Sequence, residues 1–202
     1  MISIETGAGG RVYQIWQQQQ KSTCGVASVW MARGIALQSS FAEEEWDLAV
    51  RMYMGAVNRT AAGAATVPDG PMSIDPRAYP NATEQQIVGN FSVMVSVGGL
   101  TTSEIGDALR NEGLTAQTFA NNGNAIKIAH HKIAYNKPAI AQVLWDPGNA
   151  GSHFIVVGRC TAGHVTFLDP WSGHIREQPN DGRYRSSYTD QGKIVSVTYV
   201  SA

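Results

Sequence analysis

Cys24, His153 and Asp169 are of types that together can carry acyl transfer, and each has a setting that suits the work. Cys24 follows Ser22 and Thr23, both helix N-cap types. It opens a segment in which Ala27, Trp30, Met31 and Ile35 recur at helical spacing. A thiol at a helix start meets free backbone N–H groups and the positive end of the helix dipole, which favour the thiolate. The thiolate is the reactive species in acyl transfer. A free cysteine is also a good small core residue, so position alone leaves Cys24 both roles.

His153 follows Gly151-Ser152 and opens the apolar run Phe154-Ile155-Val156-Val157-Gly158. Asp169 closes the run Val165-Thr166-Phe167-Leu168 and precedes Pro170-Trp171. A tight turn at Thr161-Ala162-Gly163 predicts a hairpin whose strand alternation brings His153 and Asp169 side by side at one end. A buried carboxylate beside an imidazole fixes its tautomer and stabilises the charged form. Taken singly, a strand-end histidine and an Asp-Pro turn opener are ordinary features. Gln18, six residues before Cys24, offers an amide donor for an oxyanion together with the Cys24 N–H. Gln19 competes for that role, because four glutamines run from Gln17 to Gln20.

These residues need elements to hold them. Val12–Trp16 reads as a short strand after a Gly-rich, loose arm at residues 1–11. A helix is predicted from Cys24 to about Leu37. A second starts near Ser40, with Glu43 completing a capping box and Phe41, Trp46, Val50 and Tyr53 on one side. Residues 58–82 read as a long surface loop. Thr83 with Gln86 caps a short helix, and Thr101 with Glu104 starts a helix that Gly113 stops. Ala125–Tyr135 reads as the last helix. The final third is β-branched and apolar at 139–145, 153–159, 164–168 and 194–200, an antiparallel sheet pattern. Helices first and strands last predict one α+β domain over 12–202, with a helical half at 12–135 and a sheet half at 136–202. The cleft walls are expected from loops 58–82, 120–124 and 146–152.

Composition limits the alternatives. The 202 residues are 43% hydrophobic and 15% charged, enough for a sizeable core. Fifteen basic and sixteen acidic residues leave a net charge of −1, which gives no broad attraction to nucleic acid or anionic lipid. No apolar run is long enough to span a bilayer, and the start lacks a secretory signal pattern. Two cysteines, Cys24 and Cys160, in unlike contexts read as reduced thiols. No tight Cys/His spacing supports a metal site, although His164 and His174 with Cys160 are its nearest approach. No cofactor motif is present, since no Lys-Ser/Thr follows Gly98-Gly99 at phosphate-loop distance.

Three segments in order carry a resemblance: Gln18-x5-Cys24-Gly25-Val26-Ala27-Ser28, then Gly151-Ser152-His153-Phe154-Ile155-Val156-Val157-Gly158, then Leu168-Asp169-Pro170-Trp171. The chain resembles the papain-like cysteine peptidases of bacteria over roughly residues 12–177. It is most similar to the bacteriocin-processing (double-glycine leader) peptidases and their stand-alone relatives. Staphopain-like enzymes and plant-pathogen effector proteases are more distant matches. The resemblance implies a papain-like fold with Cys24 as nucleophile, His153 as base, Asp169 as its orienter and Gln18 supporting the oxyanion. Trp171 would then shield the His–Asp hydrogen bond, or simply pack in the core.

The expectation is a cysteine endopeptidase acting on protein substrates. With no recognisable signal and little chain before the motif, a bacterial effector or toxin delivered by a specialised secretion system is expected, together with a cognate immunity or inhibitor protein. The same thioester chemistry serves glutamine deamidation, acyl transfer or cell-wall peptide hydrolysis. A third alternative is a binding module whose triad is vestigial.

Overall fold

The β-branched last third folds into the sheet its pattern predicts. The computed structural model describes residues 1–19, 23–43, 45, 47–49, 52, 100–147 and 151–202. Among these, the strands are β1 Ile2–Thr6, β2 Val12–Trp16, β3 Thr115–Ala120, β4 Ala139–Trp145, β5 Ser152–Cys160, β6 His164–Asp169, β7 His174–Pro179, β8 Arg183–Arg185 and β9 Gln191–Ser201. The helices are α1 Cys24–Leu37 and α2 Thr102–Asn111. β1 and β2 form a separate antiparallel pair. The other seven strands form one sheet in the order β3-β9-β4-β5-β6-β7, with β8 also on β9. Every pairing is antiparallel, so the fold class is α+β.

The sheet buries both faces, as the alternation along β5 makes plain. Phe154 and Val156 join Ala27, Trp30 and Met31 of α1 and Ile105 and Leu109 of α2 in one core. Ile155 and Val157 join Val143, Phe167, Tyr184 and Val197 in a second core on the opposite face. Successive strand residues point to opposite faces, so a run of apolar residues, rather than an alternating one, is what a doubly covered strand requires. Burying side chains such as Trp30 and Met31 contributes about 1.5–3 kcal/mol each.

α2 begins as its sequence predicts. The Thr101 side chain accepts from the Glu104 N–H, and the Glu104 carboxylate accepts from the Thr101 N–H at 2.6 Å. Thr23 occupies the N-cap position of α1 but makes no side-chain cap; its carbonyl takes the Ala27 N–H at 3.0 Å.

Several expectations are corrected. The Gly-rich start is not a loose arm: residues 2–6 pair with 12–16. Ser3 Oγ donates to the Gly173 carbonyl at 2.8 Å and the Glu5 carboxylate accepts the Ile175 N–H, so β1 is tied to the main sheet. The helix expected at Ala125–Tyr135 reduces to one 3₁₀ turn at His130–Lys132. Its backbone groups go elsewhere: Ile126 N–H to the Ile194 carbonyl, Ile128 N–H to Asn180 Oδ1 and Ala129 N–H to the Tyr199 hydroxyl. Residues 40–43 are not helical, while Glu45, 47–49 and Met52 are, so that helix starts later than Ser40. Glu43 pairs with the buried Arg33 instead of capping. The loop at 58–82, the helix at Thr83–Gln86, and Trp46, Val50 and Tyr53 lie outside the described residues. β3, β7 and β8 lie outside the four apolar runs whose pattern predicts the sheet.

Candidate active site

Cys24 is the first residue of α1 and is buried, with 9% of its surface exposed. His153 is the second residue of β5 and Asp169 the last of β6. The predicted hairpin is present, closed by the Thr161 N–H on the His164 carbonyl at 2.8 Å. It brings His153 Nε2 to 2.8 Å from Asp169 Oδ1, with 3% and 1% of these residues exposed. Alternation puts His153 on the face of Ile155 and Val157. Standing near the strand's start, its ring also acts on Cys24 at the α1 terminus, and each of the two groups shifts the other. Because Nε2 is taken by Asp169, Nδ1 is the nitrogen left for the thiol. Gly151 precedes this strand with φ of +103°, a conformation that suits a residue without Cβ.

The electrostatics follow from these contacts. Burial alone would push the Cys24 thiol up. The His153 hydrogen bond and charge outweigh it, helped by the Phe154 and Gly25 N–H groups, and hold the thiol below its ordinary value. Burial likewise opposes charging of His153. The Asp169 hydrogen bond leads the opposing effects, Cys24 adds to it, and the imidazole rises from 6.5 to about 9. A base raised and a thiol lowered by each other favour the thiolate–imidazolium pair over the neutral one. Asp169 is held below the usual carboxylate range: burial would raise it, and the His153 hydrogen bond and charge, the Tyr184 hydroxyl and the Trp171 N–H bring it down. The Trp171 N–H reaches Oδ1 at 2.9 Å and Ser172 Oγ reaches Oδ2 at 2.9 Å.

Gln18 is half-buried, and its N–H donates to the Pro170 carbonyl at 2.8 Å. The glutamine segment is therefore joined to the turn that carries Asp169. Gln19 is exposed, and its N–H is held by the buried Glu45 carboxylate at 3.0 Å. Trp171 stands edge-on to the His153 ring at 5.6 Å, with 46% of its surface exposed, so it is not a core residue. Trp145 stacks on the same ring at 5.7 Å and 15°.

Sequence reading missed Trp145, Ser172, Tyr184 and Glu45. Ser172, three residues past Asp169, matches a local turn signal; Tyr184 and Glu45 meet the site only through long-range folding. Cys160 is buried, and burial raises its thiol to about 11. His174 pairs with Glu5. Among the described residues, no group of three His, Cys, Asp or Glu side chains forms a metal cluster, and no helix is long and apolar enough to cross a membrane.

No family model matches this chain, and neither does any curated protein.

Proposed function

We propose that this chain is a papain-like cysteine endopeptidase in which Cys24 attacks a peptide carbonyl. The observation that carries the reading is the buried imidazole of His153, bonded to Asp169 at 2.8 Å and electrostatically coupled to Cys24 at the start of α1. A helix that starts with the cysteine and an antiparallel sheet that supplies the histidine and aspartate fit the papain-like arrangement implied by the three sequence segments.

In the proposed mechanism the Cys24 thiolate adds to the scissile carbonyl, and the developing oxyanion is met by the Gln18 amide and a backbone N–H. Gln18 is preferred to Gln19 because it is half-buried and tied to the Asp169 turn. Imidazolium His153 gives its proton to the leaving amine, leaving an acyl-thioester on Cys24. Neutral His153 then takes a proton from water, which attacks the thioester and releases the carboxylic acid and the thiolate. Asp169 keeps Nε2 protonated and the ring aimed throughout.

Peptide mass spectrometry of a protein mixture treated with wild type and with Cys24→Ala tests this. New peptide termini that need Cys24 support proteolysis. A gain of about one mass unit at glutamine, with no new termini, would transfer the same thioester chemistry to deamidation. An effect retained in full by Cys24→Ala would leave only a binding role.

A further inference from the structure

A buried phenol stands beside the His153 ring. Tyr184 is the central residue of the three-residue strand β8 and is fully buried. Its ring centroid lies 6.4 Å from that of His153, 6.2 Å from Trp145 and 5.3 Å from Phe167. β8 is well fixed. Tyr184 pairs with Gly192 of β9, the Gln178 amide bonds both the N–H and the carbonyl of Arg185, and Arg183 pairs with Asp146. The tyrosine hydroxyl makes no hydrogen bond of ordinary length and angle. The acceptor it faces is the Asp169 carboxylate, and each of the two groups shifts the other.

A buried hydroxyl without a good partner lowers stability, and phenylalanine would fill the same space without that cost. Packing therefore accounts for the ring and not for the oxygen. We infer that Tyr184 is a positioning residue for the triad: its hydroxyl, buried beside the His153 ring and acting on Asp169, offsets part of the carboxylate's charge and so tempers its hold on the His153 proton. This rests on the reading of Cys24, His153 and Asp169 proposed above.

The consequence concerns how strong an acid His153 is. Groups facing the imidazole are Cys24 from α1, Asp169 from β6 and Tyr184 from β8, while Arg176 of β7 acts on Tyr184. With the hydroxyl present, Asp169 fixes the tautomer without gripping the proton too tightly. Without it, the full carboxylate charge acts on the ring. His153 then stays protonated to higher pH and surrenders its proton to a leaving amine less readily.

Tyr184→Phe in the full chain tests this, with Phe167→Leu as a packing control on the same ring. The midpoint of His153 deprotonation, followed by NMR of the imidazole, is expected to rise by about half a pH unit in Tyr184→Phe. Thermal stability is expected to be equal or higher, and kcat on a peptide substrate to fall about tenfold with little change in KM. Phe167→Leu should lower stability without moving the midpoint. An unchanged or lowered midpoint in a folded Tyr184→Phe protein overturns the inference. If wild type itself titrates near 6.5 at His153 and as an ordinary thiol at Cys24, the failure lies with the triad instead.

Discussion

The resting ionisation of Cys24 is open to direct measurement by the pH dependence of its alkylation, compared between wild type and His153→Ala. An unperturbed thiol at 9.0 is ionised to about 0.3% at pH 6.5, whereas a thiolate paired with an imidazolium is largely ionised. The gain in thiolate is thus about 300-fold at most. A less basic thiolate is also a weaker nucleophile, by about threefold for each pH unit by which the thiol is lowered. The net expectation is that wild-type Cys24 reacts about 10-fold faster than Cys24 in His153→Ala at pH 6.5. Cys160, raised to about 11, should stay unmodified there, so mass spectrometry of iodoacetamide-treated protein reads Cys24 alone. The coupling behind this is substantial: raising His153 from 6.5 to about 9 corresponds to about 3 kcal/mol, at about 1.4 kcal/mol per pH unit. Its groups are almost wholly buried, so solvent screens it little. Circular dichroism shows whether His153→Ala keeps its fold, and Asp169→Asn provides a milder perturbation in the same direction. Equal rates in wild type and folded variants, with one inflection near 9, would refute the ion pair.

Further outcomes follow from the same geometry. Gln18→Ala should lower kcat about 100-fold while leaving the Cys24 alkylation profile unchanged, and Gln19→Ala should stay within a few-fold of wild type; peptide hydrolysis rates decide. In Cys24→Ala, where that thiol no longer titrates, His153 keeps its proton longer when folded than when unfolded. The stability this supplies is complete below 6.5 and is lost as pH rises towards the folded value, which is about 9 with Cys24 in place. Adding Asp169→Asn should flatten that decline in urea titrations. Gly192→Ala should cost about 2 kcal/mol or more, because an added Cβ would lie 2.4 Å from the Leu144 carbonyl oxygen, a backbone atom with little freedom to move; urea midpoints measure it.

Local features of the chain were legible where local physics decides them. The capping box at Thr101 and Glu104, the helix that opens at Cys24 and the hairpin turn at Thr161–Gly163 each depend on residues a few positions apart. The core strands β4, β5, β6 and β9 were readable as apolar β-branched runs because both sheet faces are covered. Where the sequence misled, a distant partner had taken the backbone. The apolar spacing at 125–135 suits a helix, yet Asn180, Ile194 and Tyr199 capture its N–H groups. β1 looked like a loose arm because its anchors, Gly173 and Ile175, lie about 170 residues away in the chain.

The sequence by itself determined which residues could do chemistry: a thiol at a helix start, and an imidazole and a carboxylate at the ends of two successive strands. Thiol reactivity and helix-end polarity are local properties, and a hairpin is a local fold. The tertiary structure alone decided that His153 is bonded to Asp169 and coupled to Cys24, because 128 residues lie between Cys24 and His153 and only packing of α1 on β5 closes that gap. It also decided the pair's electrostatic state, since burial and the number of converging donors set it. Tyr184, silent in the sequence, stands beside the His153 ring only because β8 folds back onto β9.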